Sequence, residues 1–431
     1  MTRAVALIGR VFPGGLDAGR RFAAGGGRFA LWAFSIRVAA AGLAFVTQIV
    51  LARLIGEDAY GEVAAAVTVL AVATAVAIFG LDTGAQRFVA HYRAVDDPAR
   101  LRGFLRLAAV VPVCVGAVLG AAGVAVFWNR DPVLATAFAT LPVVALLLTK
   151  EAVAKSCDWP VAALAPNYLL RPILLLALAA GAGAAGIALD ATGVMLAMLA
   201  AAVIALAVQT LLLRPRLARI APAGPRLMET RHWLVVATPI LIGDIGALVA
   251  VSVDVIALSI FRPSEEAGIY FAAVKSLALV QFVAYAVTNA VAHRVSALHV
   301  SGDRAGLRAY VLRACLATFV PSLAFAALVV GFGETVLGLF GEAFVSAWPA
   351  MVVVAIGSVA LAAVGPAERV LNMIGRERAC ARVYVASGLL ATALALALVP
   401  AHGAMGAAAT LALTMLFQAV ALALALRAAL R

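Results

Sequence analysis

Long apolar runs, separated by short breaks that carry Arg, Gly, Pro or acidic residues, set the pattern of this chain. A helix needs about 20 apolar residues to cross roughly 30 Å of hydrocarbon. By that measure the pattern predicts twelve spans, at approximately 29–51, 62–80, 104–127, 132–150, 167–187, 193–213, 233–260, 269–292, 309–332, 348–372, 382–399 and 403–427. The pattern also repeats. The stretch Leu51-Ala-Arg-Leu-Ile-Gly-Glu-Asp-Ala-Tyr-Gly61 lies between two apolar runs, as does Leu258-Ser-Ile-Phe-Arg-Pro-Ser-Glu-Glu-Ala-Gly268, 207 positions further on. The same offset sets Arg87 on Arg294, Asp96 on Asp303, Arg106 on Arg313 and Leu70 on Leu277 without a gap. Charges recur as well as hydrophobes, so the chain reads as a duplicated membrane bundle, an architecture of transporters.

Six spans per half is an even number, so the second half starts on the same side of the membrane as the first. The repeats are then parallel, related by an axis along the membrane normal. The expected fold class is an all-α polytopic membrane protein, its twelve transmembrane helices arranged as two six-helix lobes around a central cleft. The expected organisation is an N-terminal arm at 1–28, an N-lobe at 29–213, a basic Pro-rich linker at 214–232 and a C-lobe at 233–431.

Composition agrees with a bilayer setting. Hydrophobic residues make up 65% and charged residues 13%, with a mean hydropathy of +1.07. A water-soluble globule is nearer 45–50% apolar and about 25% charged. The net charge of +12 would point to nucleic acid in a soluble protein, but here its distribution decides. With a cytosolic N-terminus, 27 of the 33 Lys and Arg fall in the arm, the tail and the inner loops; Arg53, Arg130 and Arg262 fall outside, and Arg37, Arg171 and Lys275 within spans. That asymmetry satisfies the positive-inside rule and places both termini in the cytosol. The arm has no long apolar region and no Ala-x-Ala site, so it reads as an uncleaved cytosolic segment. Outer loops are too short for a folded external domain.

Several chemistries are disfavoured. Five His and four Cys are scattered without ligand spacing, which speaks against a metal site or disulfide framework. Gly25-Gly26-Gly27 is followed by Arg28 and Phe29, not by Gly-Lys-Ser/Thr, so it is no phosphate-binding loop. No cofactor is expected. Enzymes that join or polymerise lipid-linked sugars need a large outer loop carrying acid/base residues, which this chain lacks.

Five charges stand where lipid should not tolerate them: Arg37, Asp244, Asp254 and Lys275 within spans, and Arg171 near the start of one. Each costs on the order of 2.5–3.5 kcal/mol on insertion scales if it faces lipid. They are expected to face the bundle interior, with Arg37, Arg171 and Lys275 meeting an anionic cargo and Asp244 or Asp254 taking up a coupling ion or proton. The plainer alternative pairs Arg37 with Asp244, which share a repeat position, and lets Arg171 snorkel to the rim. Arg87 and Arg294, at a cytosolic helix end, read first as solvated or lipid-phosphate contacts.

The core Thr47-Gln-Ile-Val-Leu-Ala-Arg-Leu-Ile-Gly-Glu-Asp-Ala-Tyr-Gly61 and the stretch Phe79-Gly-Leu-Asp-Thr-Gly-Ala-Gln-Arg-Phe88 resemble the opening of the polysaccharide (O-antigen type) flippases. These belong to the multidrug/oligosaccharidyl-lipid/polysaccharide exporter superfamily. Asp254-Val-Ile-Ala-Leu, Glu266-Ala-Gly-Ile-Tyr-Phe-Ala-Ala273 and Gly365-Pro with Leu371-Asn-Met-Ile-Gly375-Arg resemble that family's second-lobe signatures. The resemblance implies a bacterial inner-membrane flippase, not an enzyme. Its cargo would be an undecaprenyl-diphosphate-linked oligosaccharide moved outward for lipopolysaccharide or other surface glycan. Its partners would be lipid-linked oligosaccharide, membrane lipids and glycan-assembly proteins such as a polymerase, and no nucleic acid. Arg37, Arg171 and Lys275 are where the family's cargo-holding basic residues carry over, by location in a span. The nearest alternative is a cation-coupled multidrug exporter of the same superfamily. A major-facilitator carrier is disfavoured because the loop after the second span reads Gly80-Leu-Asp-Thr-Gly-Ala-Gln-Arg-Phe-Val, far from Gly-x-x-x-Asp-Arg-x-Gly-Arg-Arg.

Overall fold

The computed structural model describes residues 27–278, 280, 295, 298 and 303–430. The predicted arm, 27 and 28 aside, and Arg294 lie outside the described residues. What is described is helical, without a strand. Lipid offers the backbone no hydrogen-bond partner, so each spanning segment must satisfy its own amides and carbonyls, as an α-helix does.

The first half opens with α1 (Gly27–Ile78), whose 52 residues would stretch about 78 Å if straight. It does not run straight. Gly56 has φ 77°, a left-handed conformation that costs glycine little. Beyond it Tyr60 Oη donates to Gln48 Oε1 at 2.7 Å, a contact that twelve residues of straight helix would forbid. α1 is therefore a helical hairpin holding the first two predicted spans. It is followed by α2 (Leu81–Ala94), α3 (Pro98–Phe127), α4 (Pro132–Ser156) and the short α5 (Pro160–Ala165). A π turn (Pro166–Leu170) leads from α5 into α6 (Arg171–Ala184), and α7 (Ala191–Ile220) closes the half. Asp97, Asp131 and Asp190 cap α3, α4 and α7 by accepting backbone N–H groups of those helices.

The second half comprises α8 (Thr230–Ala250), α9 (Val253–Phe261), α10 (residues 264–278), α11 (Arg304–Gly331), α12 (Gly333–Gly338), α13 (Trp348–Ala363), α14 (Ala367–Met373) and α15 (Glu377–Leu430). α15 is a second double-length helix of 54 residues, broken at Gly403. Nine described helices or helix runs are long and apolar enough to cross a membrane. Dividing α1 and α15 at their breaks raises that number to eleven, and α10 begins the remaining predicted span.

Three segments differ from the sequence expectation. Residues 81–94, expected as a loop, form α2, whose apolar Leu81, Ala85, Phe88, Val89 and Tyr92 fall on one buried face at helical spacing. The seventh span is interrupted at Val251–Ser252, between α8 and α9, and the tenth at Val364–Pro366, between α13 and α14.

The halves meet at two levels. At the end poor in basic residues, α1 packs on α9 and α10 in one hydrophobic core that includes Leu51, Tyr60, Val63, Leu258, Phe271 and Phe344. The repeat-related Gly61 and Gly268 touch there: a side-chain carbon added to Gly268 would lie 2.8 Å from the Gly61 nitrogen. At the basic end Trp233 of α8 is fully buried among first-half residues Phe88, Tyr92 and Phe104. It stacks edge-on against Phe104, centroids 5.5 Å apart, and its Nε1 donates to Tyr92 Oη at 2.9 Å.

Candidate functional site

Between those two contacts a cavity of about 450 Å³ opens where the second leg of α1, with α2, α4 and α6, faces α8. Its polar lining consists of Thr74, Asp82, Thr83, Arg171 and Asp244, and Leu70, Val144 and Leu248 contribute apolar wall. Arg171 leaves the chain at the end of the π turn, which widens the helix by one residue per turn around Asn167 and Tyr168. Asp82 lies in the first turn of α2, just past Phe79 (φ 59°) and Gly80 (φ 67°). Gly80 also permits close approach, because a side-chain carbon there would meet the Ala237 carbonyl of α8 at 2.8 Å.

Asp244 borders a second cavity of about 500 Å³ within the second half, among α8, α13, α14 and α15. Glu368, Tyr384 and Gln418 line it too, and Tyr384 Oη donates to Glu368 Oε2 at 2.5 Å. Asp244 is thus reached from two hollows, the first also lined by Asp82 and the second by Glu368 and Glu377. Chemically, the arrangement offers guanidiniums for an oxyanion, Arg171 in the first cavity and Arg378 in the second, and a set of carboxylates that can take up a proton or small cation.

The remaining predicted residues lie elsewhere. The Arg37 guanidinium sits 5.5 Å from the centre of the Tyr168 ring, a cation–π contact three positions before Arg171 in sequence. Lys275 Nζ lies 4.6 Å from the centre of the Phe271 ring, in the packed region of α10. Asp254 is 2% exposed; its Oδ2 accepts from Tyr270 Oη at 2.5 Å, and its Oδ1 has no hydrogen-bond partner among the described residues. Arg171 and Asp244 therefore share one cavity, which Arg37, Asp254 and Lys275 do not line.

Sequence reasoning passed over Asp82 and Glu368. A usable signal existed in the glycine that shortly precedes each acid, Gly80 and Gly365, because a left-handed residue can end one helix and leave the acid in the first turn of the next. It also passed over a buried polar group in the first half. There Glu151 pairs with Lys155 and accepts from Asn167 at 3.0 Å, and Lys150 donates to Thr210 at 2.6 Å. At the basic end the Arg100 backbone amide and guanidinium hold the Asp97 carboxyl below the usual carboxylate range.

Residues 27–153 match the family described as polysaccharide biosynthesis protein. No curated protein matches the chain. Among solved structures, an inward-facing multidrug resistance MATE family transporter of the MOP superfamily superposes with a TM-score of 0.69 at 14% identity, covering 93% of this chain and 98% of its own. The chain shares the fold of that transporter. The lipid II flippase MurJ, in an inward closed conformation, superposes with a TM-score of 0.63 at 12% identity over 91% of this chain and 87% of its own. A MOP superfamily transporter from Pyrococcus furiosus gives 0.61 at 14% identity over 94% of each. The matched family segment contains the Thr47–Gly61 and Phe79–Phe88 stretches, so the resemblance to polysaccharide flippases of this superfamily is borne out.

Proposed function

We propose that this MOP-fold protein moves an undecaprenyl-diphosphate-linked oligosaccharide from the cytosolic to the outer leaflet of a bacterial inner membrane, supplying surface polysaccharide of the O-antigen or lipopolysaccharide kind. The observation that carries the reading is Arg171, a basic residue lining a cavity between the halves of a membrane chain whose residues 27–153 match a polysaccharide biosynthesis family. Unaided, a diphosphate and many sugar hydroxyls would lose their water in hydrocarbon, at several kcal/mol or more per group. A cavity that supplies a guanidinium and side-chain hydroxyls replaces part of that water while the lipid tail stays in the bilayer.

In this reading residues 29–213 and 233–431 rock as two lobes about the linker 214–232, with both termini cytosolic. Arg171 takes the diphosphate, with Arg37 and Lys275 as further basic contacts as the lobes move. The two carboxylates beside Arg171 oppose an anionic cargo until Asp244 binds a proton or cation, so uptake at Asp244, with Asp254 as the second candidate, couples cargo to an ion gradient. The membrane potential adds about 2.3 kcal/mol per charge per 100 mV for negative charge moving outward.

The test is deletion of the gene, with lipid-linked oligosaccharide measured on each leaflet. Accumulation on the cytosolic leaflet, reversed by the intact gene and not by an Arg171→Ala copy, supports the proposal. Normal surface glycan in the deletion strain sinks it. Drug sensitivity in that strain, with surface glycan intact, would likewise overturn it.

A further inference from the structure

A separate cavity of about 390 Å³ lies at the basic end, between α2 and the start of α8. Arg87, His91, Arg100 and His232 line it, together with Asp97 and Glu229. Arg100 is already engaged: Nη1 contacts Asp97 Oδ2 at 2.7 Å and Nε contacts Glu229 Oε1 at 2.8 Å. Arg87, His91 and His232 are exposed and have no ion-pair partner among the described residues. The His232 ring packs edge-on against Phe88, centroids 5.8 Å apart, which orients the imidazole from the second half toward the α2 residues of the first.

We propose that this cavity is a binding site for a phosphate-bearing anion, held by Arg87, His91 and His232 from both halves of the chain. A guanidinium matches phosphate oxygens in a two-pronged geometry, and an imidazole N–H adds a donor. The volume falls at the lower end of small-ligand sites, roughly 300–1,000 Å³, enough for a phosphorylated headgroup and too little for a glycan chain. By the distribution of basic residues this end lies on the cytosolic face, at the level where lipid phosphates concentrate negative potential. Thr83, Arg87 and His91 follow one another at four-residue spacing on α2, and Thr83 lines the central cavity. One helix face therefore runs from this site to Arg171. The site goes beyond the proposed transport of glycan, because its occupancy is read without any transport.

The experiment measures binding of phosphatidic acid, inorganic pyrophosphate and phosphatidylcholine to the full-length chain in detergent, by native mass spectrometry. Phosphatidic acid should bind and phosphatidylcholine should not. The triple variant Arg87→Ala, His91→Ala, His232→Ala should weaken binding at least tenfold. Arg219→Ala, an exposed basic residue outside the cavity, should leave it unchanged. Glu229→Gln removes a carboxylate that competes for Arg100 and should strengthen binding several-fold, a gain that a folding defect does not produce. Pyrophosphate binding alongside phosphatidic acid means the phosphate itself is recognised; phosphatidic acid alone means a headgroup presented on its lipid. Retention of both probes by the triple variant, an equal loss in Arg219→Ala, no gain in Glu229→Gln, or failure of both probes to bind would overturn the proposal.

Discussion

Arg171 and Tyr270 show how differently two polar side chains inside a span behave. Arg171 is half-buried and opens onto a cavity, so its removal should empty a binding position without unpicking the helices. Arg171→Ala is expected to cut cargo transport at least tenfold, about 1.4 kcal/mol, with the thermal unfolding midpoint in detergent unchanged. Arg171→Lys should recover part of the activity, because it keeps the charge and loses the planar fork. Tyr270 instead ties α10 to α9 through Asp254, where both residues are buried. Tyr270→Phe leaves both Asp254 oxygens without a donor and should lower stability by about 1–2 kcal/mol. An unfolding midpoint equal to wild type would show that the bond carries no structural load.

At the scale of elements, the helix breaks matter more than the helices. α2, α9 and α14 each restart a span or its extension after a break, and each carries an acid in its first turn: Asp82, Asp254 and Glu368. A helix N-terminus favours negative charge, so the breaks and the acids belong together. Gly80→Ala tests one of them. The added carbon meets the Ala237 carbonyl at 2.8 Å and φ stays at +67°, so the variant should lose about 1–3 kcal/mol, read as earlier thermal unfolding. An unshifted midpoint would mean that α8 moves aside freely. The positions of the long spans were legible in the sequence because lipid permits little else. The breaks inside the seventh and tenth spans were not, because a 20-residue hydropathy average hides two or three residues such as Val251 and Ser252. Asp82 was passed over because it lies in the stretch 81–94 that reads as a loop and folds as α2. Arg171 and Asp244 were legible as interior charges, but their sharing of a cavity depends on how α6 and α8 cross, which no spacing along the chain encodes.

For the whole molecule, the contact between Gly61 and Gly268 matters most, because the sequence repeat pairs these two glycines and the fold brings them together at the end poor in basic residues. Around them Tyr60 packs edge-on against Phe271 and Phe344, both centroids 5.9 Å away. Arg53 donates to the Leu339 carbonyl at 2.5 Å and to that of Gly338 at 3.0 Å, bonding one half to the other. At the basic end the halves are joined as well, by Trp233 against Phe104 and Tyr92, so the cavity between them opens only when one of the two contacts parts. A methyl group at Gly268 cannot fit against the Gly61 backbone, so Gly268→Ala should hold this end apart and shift the population toward a conformation open there. The readout is a single cysteine at Ala71, on the wall of the central cavity, in a background with Cys114, Cys157, Cys315 and Cys380 replaced. Its modification by an impermeant maleimide added outside intact cells should be slow in the parent and several-fold faster with Gly268→Ala. Arg53→Ala removes two bonds but adds no clash, so it should act in the same direction and more weakly; being exposed, it also separates gate opening from a packing defect. Equal labelling in all three chains would mean that the Gly61–Gly268 contact does not control access, and the two halves would then have to part about some other line.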